Sequence, residues 1–370
     1  MADIVQERRS AELVRAEIEQ QLRELLDVAR ASAVPFGTHF GKLWDLGAEC
    51  LLGGKMLRPR LLMGAYDAIA DPPADRTAHR AAALRIAAAT ELLHFSFLLH
   101  DDVIDEDLTR RGAPNLIGRL LHEAILASGE EAGTANERAL HWARSSGILL
   151  GDLMLSEVHQ AFAREPLADD TRRRLLDLLR RTTTESVVGE HADVGLGDRI
   201  IPSDLNTVLE MSRLKTATYT FELPLRAAAV LAGAPRRLEE ALGEVARHLG
   251  VAFQLQDDLL CAFGDSREHG KDVFSDFREG KETAIIAYAR MTGAWPSIEP
   301  LLGSPEFGKA EAEAIRALLV QCGAEGFVRA MVDDRIRLAV EIVSREAATM
   351  PLELRGFLLG IVDSLDGRRV

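Results

Sequence analysis

The sequence has few of the residues that mark secreted, thiolate-metal or nucleic-acid-binding proteins. Its 370 residues include only three cysteines, Cys50, Cys261 and Cys322, an odd number with no metal-binding spacing. This favours a reduced, cytoplasmic protein. The 44 basic side chains are outnumbered by 58 acidic ones, which gives a net charge of −14. Nucleic acid is therefore not an expected partner.

Long apolar runs are also missing from the sequence. The first residues, Met1 to Arg9, lack the apolar core of a signal peptide. No run approaches the roughly 18–20 apolar residues that are needed to cross a bilayer. We therefore expect no transmembrane segment, although a lipophilic substrate or product remains compatible with the sequence.

Aromatic residues make up only 5% of the chain, β-branched residues are sparse, and Ala, Leu, Arg and Glu dominate. This composition favours helices nearly throughout, and no strand pair stands out. The chain after Gly112 and residues 264–281 are predicted to be irregular. We predict an all-α fold in which residues 1–370 form a single domain, a bundle of roughly a dozen helices around a central apolar cavity. Residues 1–52 are expected to form an outer layer.

An acidic cluster followed by two arginines ends the long apolar segment before residue 101. Asp101 and Asp105 are four residues apart, so on a helix both project from one face, and Asp102 lies about 100° around. Carboxylates this close repel one another unless a cation lies between them, and oxygen ligands suit Mg²⁺. Arg110 and Arg111 supply the cations that a diphosphate binds. The alternative is a solvated helix end with a charge cluster and no ligand.

A second apolar helical segment ends in a similar pair, Asp257 and Asp258. Two such clusters could face each other across a bundle core, which is how helix bundles build metal sites. The position four residues after Asp257 holds Cys261 instead of a carboxylate, and a thiol is a poor Mg²⁺ ligand. We expect metal binding to be impaired or altered rather than lost.

Further polar residues stand near the ends of apolar helices. Gly54, Lys55 and Arg58 surround a glycine turn at a helix start, where backbone N–H groups and cations suit a phosphate. His94 lies two helical turns before Asp101 on the same face. The remaining cations near the acidic segments are Lys215 (followed by Thr216), Lys271 and Lys281. Each of these residues alone could equally be an ordinary solvated or core residue. Together, they suit a diphosphate pocket above an apolar cavity.

Taken in their order along the chain, these motifs resemble those of the trans-type, head-to-tail isoprenyl diphosphate synthases. The resemblance extends from about Gly53 to Thr283. The resemblance implies that isopentenyl diphosphate and an allylic diphosphate (dimethylallyl, geranyl or farnesyl) are the substrates. It implies Mg²⁺ as the cofactor, about three ions bridged by the allylic diphosphate. It also implies a homodimer, for which the segment from Trp142 to Leu155 could supply the interface.

The resemblance also assigns roles to individual residues. The metal ligands would be Asp101, Asp105 and Asp257, supported by Asp102 and Asp258. The residues that hold isopentenyl diphosphate would be Lys55, Arg58, His94 and Arg111, next to Gly54. Those that bind the allylic diphosphate would be Arg110, Lys215, Thr216, Gln254, Lys271 and Lys281, next to Phe253. The catalytic group would comprise the five aspartates with Arg110 and Lys215.

Four positions depart from the pattern that is usual in this family. Met56 and Ala217 stand where the family often has Arg and Gly. Glu190 replaces Gln in the segment from Gly189 to Asp193, and Cys261 replaces the last carboxylate of the second acidic motif.

Product length is expected to depend on the residues that precede Asp101. Leu93, Ser96 and Phe97 would line the pocket wall together with Leu92, and by resemblance bulk at this level stops chain growth. Phe97 is bulky whereas Ser96 is small. We predict a C15 to C20 product, with geranylgeranyl diphosphate favoured over farnesyl diphosphate.

Three alternatives remain open at this point. A class I terpene cyclase shares the first acidic motif, but its second motif carries other residues than Gln256-Asp257-Asp258. A head-to-head synthase is disfavoured for similar reasons. The chain could also be a non-catalytic regulatory subunit of a hetero-oligomeric prenyl synthase, with Cys261 as a sign of lost activity.

Overall fold

The computed structural model describes residues 2–70, 76–110, 112–128, 134–264 and 274–366. Helices make up nearly all of the described regular structure, which confirms the predicted all-α fold. Contacts divide the chain into two compact units. Unit 1 comprises Met1–Gly64 and Asp71–Leu176, and unit 2 comprises Ala65–Ala70 and Asp177–Val370. The single domain over residues 1–370, the outer layer and the central apolar cavity stay predictions.

Unit 1 begins with two helices and a short 3₁₀ turn, Val34–Phe36, between them. Helix α3 runs from unit 1 into unit 2, as does α7. The elements of this half of the chain are α1 (Ala2–Ala33), α2 (Thr38–Leu51), α3 (Leu57–Ile69), α4 (Arg76–Ile104), β1 (Thr109–Arg110), β2 (Ala113–Pro114), α5 (Leu116–Ser128), α6 (Thr134–Arg164) and α7 (Asp169–Gly197).

Unit 2 contains the remaining helices, one of which has wider turns than an α-helix. This π-helix covers Arg213–Glu222, and its i to i+5 bonding is seen where the Leu223 N–H donates to the Thr218 carbonyl. The α-helices are α8 (Leu205–Ser212), α9 (Leu223–Leu231), α10 (Arg236–Phe263), α11 (Ser275–Glu279), α12 (Ala284–Arg290), α13 (Trp295–Ile298), α14 (Lys309–Gln321), α15 (Ala324–Arg345) and α16 (Leu352–Asp366).

The structure differs from the sequence predictions after Gly112 and after Gly264. A two-stranded antiparallel pair, β1 with β2, follows α4, although no strand pair was expected. The next segment is the helix α5, because the Asn115 side chain accepts the Gly118 N–H at 2.9 Å and caps the helix start. Residues 275–279 form a short helix instead of irregular chain.

Helix α4 carries the first acidic motif and lies in the core of unit 1. Its buried face is rich in Ala and Leu, and Leu92, Leu93 and Leu99 are all at most 1% exposed. In contrast to the sequence prediction, His79–Ile104 is long and apolar enough to cross a membrane by length and composition. However, 72% of its most apolar window is buried, which is typical of a core helix.

Helix α10 carries the second acidic motif in unit 2 and packs closely against the π-helix. A Cβ atom at Gly250 would lie 2.3 Å from the Cβ of Ala217, so the two backbones approach as closely as a glycine allows. The alanine at position 217, one of the four departures from the family pattern, is therefore accommodated by the glycine opposite it.

Candidate active site

The first acidic motif lies at the C-terminal end of α4, where a left-handed residue stops the helix. Glu106 has φ of +60°, and the Asp107 N–H donates to the Asp102 carbonyl at 2.9 Å while the Glu106 N–H donates to the Val103 carbonyl at 3.3 Å. These two bonds form a Schellman cap. Asp105 stays in helical register because its N–H donates to the Asp101 carbonyl at 2.8 Å. The cap thus keeps Asp101 and Asp105 one turn apart, as predicted.

Arg110 folds back from β1 onto the aspartates of α4. Its Nε and Nη2 atoms donate to Oδ1 of Asp102 at 3.1 and 2.5 Å, and Nη2 lies 3.6 Å from Oδ2 of Asp101. Asp102 is only 3% exposed. Burial raises the pKa of Asp102 to about 6, although the charge of Arg110 and its hydrogen bonds oppose the rise. Asp102 is therefore the buried partner of Arg110, whereas the side chain of Asp101 keeps 21% exposure.

The raised pKa of Asp102 predicts a pH-dependent contribution to stability. Because its folded-state pKa of about 6 exceeds the ordinary 3.8, the folded protein binds a proton that the unfolded chain has released. This contribution is complete below pH 3.8 and is lost as the pH rises through about 6, the reverse of the usual salt-bridged aspartate. Without Mg²⁺, we expect the free energy of unfolding of the wild type relative to Asp102→Asn to fall by about 2–3 kcal/mol between roughly pH 4 and pH 7. Urea unfolding at several pH values measures this difference, and parallel profiles for the two proteins would contradict it.

A cavity of about 330 Å³ lies beside this motif in unit 1. It brings together four predicted site residues, Gly54, His94, Asp102 and Arg110. Lys55 and Arg58 do not line it: Lys55 is exposed and Arg58 is buried in α3. The other lining residues are Glu49, Cys50, Leu51, Glu91, Phe95, Leu98, Ala113, Pro114, Asn115, Leu116 and Arg119.

The wall of this cavity is completed by charged residues that were not predicted from the sequence. Arg119 reaches it from α5, with Nη2 at 2.5 Å from Oε2 of Glu49 and Nη1 at 3.6 Å from Sγ of Cys50. Glu91 is 7% exposed on α4. Glu91 precedes His94 by three residues, so helical spacing was a usable signal for it. No local pattern connects Arg119 with Glu49, because they are 70 residues apart.

The three residues predicted to limit product length lie on α4 before Asp101. Leu93 and Ser96 are completely buried, and Phe97 is half-buried. The Ser96 hydroxyl donates to the Gly151 carbonyl at 2.9 Å, so its polar end is directed toward α6. The role of these residues in product length stays a prediction.

The second acidic motif lies in the last two turns of α10. Asp258 is 6% exposed and accepts a hydrogen bond from Nε2 of Gln254 at 2.8 Å, while Asp257 is half-buried. Cys261 is also buried, and its Sγ lies 3.4 Å from Oγ of Ser275. Burial raises the pKa of the Cys261 thiol to about 12, so it is neutral near pH 7 and is no anionic metal ligand.

Lys215 lies in the π-helix and contacts two carboxylates of α7. Its Nζ atom is 2.6 Å from Oδ2 of Asp193 and 3.0 Å from Oε2 of Glu190. Lys215 was predicted as a site residue, but its pairing with these two carboxylates was not. A Cβ atom at Gly189 would lie 2.2 Å from the backbone nitrogen of Lys215, so the glycine permits the close approach of α7 to the π-helix.

Replacing Gly189 by Ala should destabilise unit 2. The added Cβ atom would clash with backbone atoms of Leu214 and Lys215, which cannot rotate away. We expect a loss of about 2–3 kcal/mol in the free energy of unfolding. Gly197→Ala, on the same helix with nothing within 4 Å of the added Cβ, is the matched control and should leave stability unchanged or slightly raised. Urea unfolding of both variants makes the measurement. Equal stabilities would show that α7 and the π-helix are not held this closely.

The remaining predicted site residues that the structure describes lie in the π-helix, in α10 and after α11. Thr216 is half-buried in the π-helix, and Phe253 packs at a tilt on Phe221, with ring centroids 5.6 Å apart. Lys281 follows α11, and its Nζ lies 3.0 Å from Oε2 of Glu279. Arg111 and Lys271 lie outside the described residues.

The donor chemistry of both motifs suits Mg²⁺. Asp101, Asp105 and Asp257 are partly exposed residues with carboxylate side chains, and hard oxygen donors are what Mg²⁺ prefers. Within the described ranges, no three His, Cys, Asp or Glu side chains form a ready-made metal cluster. Mg²⁺ commonly takes one or two carboxylates and completes its shell with water and substrate phosphate.

Comparison with known proteins shows which family this chain is similar to. The family model described as polyprenyl synthetase matches residues 44–315. The chain is 29% identical to a geranylfarnesyl diphosphate synthase of Aeropyrum pernix over 80% of this chain and 85% of that protein. It is 32% identical to a (2E,6E)-farnesyl diphosphate synthase of Mycobacterium tuberculosis over 73% of this chain and 67% of that protein.

A solved structure gives the same result for the fold. The geranylgeranyl pyrophosphate synthase of Corynebacterium glutamicum, solved with isoprenyl diphosphate and magnesium, superposes with a TM-score of 0.84 at 25% identity. The similarity covers 95% of this chain and 98% of that one. The resemblance inferred from the motifs is thereby confirmed, and the chain belongs to the polyprenyl synthetase family.

Proposed function

We propose that this chain is an Mg²⁺-dependent prenyltransferase that condenses isopentenyl diphosphate with an allylic diphosphate. The products are an all-trans isoprenyl diphosphate, lengthened by five carbons at each step, and inorganic pyrophosphate. The observation that carries the proposal is the end of α4, where Arg110 and the carboxylates of Asp101 and Asp102 lie together beside a cavity. The names of the relatives, all diphosphate synthases, support the same activity.

The chemistry follows from the charges. The allylic C–O bond breaks only if the negative charge on the leaving diphosphate is neutralised. When bound to Asp101, Asp105 and Asp257, Mg²⁺ would supply most of that neutralisation. Arg110, Lys215 and Lys281 add fixed positive charge, and we include Lys271 in this group.

The second substrate needs an anion site that is distinct from the allylic one. We assign isopentenyl diphosphate to the cavity of unit 1, whose wall includes His94 and Gly54, and we include Arg111 among the residues that bind it. Lys55 and Arg58, which are close in sequence to Gly54, are assigned to its diphosphate as well. The double bond of this substrate attacks the allylic carbon, a C–C bond forms, and one proton is lost to the departing diphosphate.

The product is proposed to have 15 to 20 carbons, with geranylgeranyl diphosphate favoured. Phe97 lies one turn before Asp101 and keeps partial exposure, whereas Leu93 and Ser96 are completely buried. Because Phe97 is the bulkiest of these three side chains and keeps partial exposure, we propose that it limits growth of the chain. Radiolabelled isopentenyl diphosphate, supplied with C5, C10 or C15 primers, tests the assignment. After phosphatase treatment, C15 or C20 alcohols are expected, and products longer than C20 would contradict the proposed length.

Two other candidate functions, a class I terpene cyclase and a regulatory subunit, have less support. A class I terpene cyclase would release a cyclised hydrocarbon and would not consume isopentenyl diphosphate. A non-catalytic regulatory subunit would show no turnover on its own. The shape of the first acidic motif favours the enzyme over the regulatory subunit, because Arg110 and the aspartates are held in place by a capped helix end.

We further propose that the protein is a homodimer and acts in the cytoplasm. Helix α6 exposes four large apolar side chains, Trp142, Ile148, Leu149 and Leu153, at 36–59% of their surface. Apolar patches of this kind mark association surfaces. The cysteines are free, as in reducing compartments.

The dimer is tested by placing charge on this face of α6. The double variant Leu149→Glu/Leu153→Glu should convert a dimer into a monomer, because two buried carboxylates at an apolar interface are costly. Leu13→Glu, at a leucine of α1 that is 62% exposed, is the control and should stay dimeric. Light scattering coupled to size exclusion gives the mass. A wild type that is monomeric at micromolar concentration would contradict the proposal.

A further inference from the structure

Two carboxylates compete for one ammonium group in unit 2. Nζ of Lys215 contacts both Glu190 and Asp193, at 3.0 and 2.6 Å. The three side chains keep 16–23% exposure, so a ligand can reach them. An ammonium group has three N–H donors, and two of these are directed at carboxylates. One positive and two negative charges give this triad a net charge of −1.

The triad is built into the contact between α7 and the π-helix. Gly189, next to Glu190, allows the backbone of Lys215 to approach α7. One turn earlier on α7, Oε2 of Glu185 accepts a hydrogen bond from the Thr218 hydroxyl at 3.2 Å. The contact at Gly189 brings the two backbones close together, so Lys215 can leave Glu190 by rotating its side chain while its backbone stays in place.

We infer that Glu190 is a positioning residue that restrains Lys215 and weakens its attraction for a diphosphate. The inference rests on the proposed function, in which Lys215 binds the allylic diphosphate. With Asp193 alone the lysine would belong to a neutral pair. The carboxylate of Glu190 makes the group negative, repels the diphosphate and occupies an N–H donor that the diphosphate would use. The affinity of this site for diphosphate is therefore lower, and the allylic substrate and pyrophosphate are released faster.

The substitution Glu190→Gln isolates the charge. The amide oxygen still accepts a hydrogen bond from Lys215, so the position of the lysine is kept, and only the negative charge is removed. Isothermal titration of the full-length protein with inorganic pyrophosphate in the presence of Mg²⁺ is the measurement. We expect Glu190→Gln to bind pyrophosphate about tenfold more tightly than the wild type.

Asp177→Asn is the matched control. Asp177 is an exposed residue of the same helix, about three and a half turns before Glu190, and the substitution removes the same charge. Its effect on pyrophosphate affinity should stay below about twofold, because exposed charges at this distance are screened. A tenfold gain in both variants would mean that net charge, and not Glu190, controls affinity, and would overturn the inference.

A double-mutant cycle shows whether Glu190 acts through Lys215. In a Lys215→Met background, Glu190→Gln should raise pyrophosphate affinity by clearly less than about tenfold, because the carboxylate then only repels the anion and no longer occupies an N–H donor of Lys215. A gain that persists undiminished without the lysine would overturn the inference. So would unchanged or weaker binding in Glu190→Gln, or the absence of pyrophosphate binding by both the wild type and this variant.

Steady-state kinetics separates this inference from the proposed function. The KM for the allylic diphosphate should fall in Glu190→Gln, while the KM for isopentenyl diphosphate stays the same. If the wild type binds pyrophosphate but turns over no substrate, the proposed function fails. The tenfold difference in pyrophosphate affinity would then still establish the role of Glu190.

Discussion

Replacing Asp101 by Asn is expected to lower kcat for prenyl transfer by about 10³-fold. Asp101 is the more exposed of the two adjacent aspartates of α4, and it shares Arg110 with Asp102. An amide oxygen is a weaker Mg²⁺ ligand than a carboxylate, and it leaves more of the leaving-group charge unbalanced. The KM for isopentenyl diphosphate should change much less, because this loss concerns the transition state.

The control for this prediction is Glu106→Gln. Glu106 belongs to the same helix end, but its side chain is 72% exposed and lies 3.2 Å from Arg144. Loss of such a surface ion pair costs little, so kcat should stay within about twofold of the wild type. Activity of Asp101→Asn within tenfold of the wild type at saturating Mg²⁺ would remove Asp101 from the proposed metal site.

The second large effect is expected for Arg110. In Arg110→Met the buried Asp102 loses both of its hydrogen bonds from Nε and Nη2. Because Asp102 is buried but the Arg110 side chain is 36% exposed, the loss of this partner should cost about 1–3 kcal/mol of stability, the penalty for a buried polar group left without its hydrogen bonds. Activity should fall by about 10²–10³-fold at the same time, since fixed positive charge is lost at the diphosphate site. Urea unfolding and initial rates measure the two effects separately.

Two further variants separate geometry from charge at this position. Arg110→Lys keeps the charge but cannot donate from two points, so it should fall between the wild type and Arg110→Met in both measurements. The double variant Arg110→Met/Asp102→Asn should regain much of the lost stability, because no buried carboxylate is then left unpaired. Equal stabilities of the wild type and Arg110→Met would show that Arg110 does not compensate Asp102.

Local patterns were sufficient to predict the helix that carries the first acidic motif. The apolar face of α4 and the spacing of Asp101 and Asp105 are properties of adjacent turns, so the sequence predicted them. Asp204 is a second local feature of this kind, because an aspartate before a helix commonly caps it, and its side chain accepts the N–H groups of Asn206 and Thr207 at 3.0 and 3.1 Å.

Features that depend on contacts distant in sequence were not predicted. The pairing of Lys215 with Glu190 joins residues 25 apart, and the Arg119–Glu49 pair joins residues 70 apart. The π-helix was also missed, because its wide turns are stabilised by tertiary contacts such as that of Gly250 with Ala217. The pKa of Cys261 reflects burial beside residues 275 and 276, which a thiol's position in the sequence does not reveal.

The most direct test of the central claim is the stoichiometry of pyrophosphate release by the purified chain. A coupled assay with Mg²⁺, geranyl diphosphate and isopentenyl diphosphate should show one pyrophosphate released for each isopentenyl diphosphate consumed. Without isopentenyl diphosphate no release is expected, because the double bond of that substrate is the nucleophile. Release in its absence would contradict condensation and indicate a cyclase. If no pyrophosphate is released when isopentenyl diphosphate is supplied with any of the allylic primers, catalysis by this chain alone is contradicted.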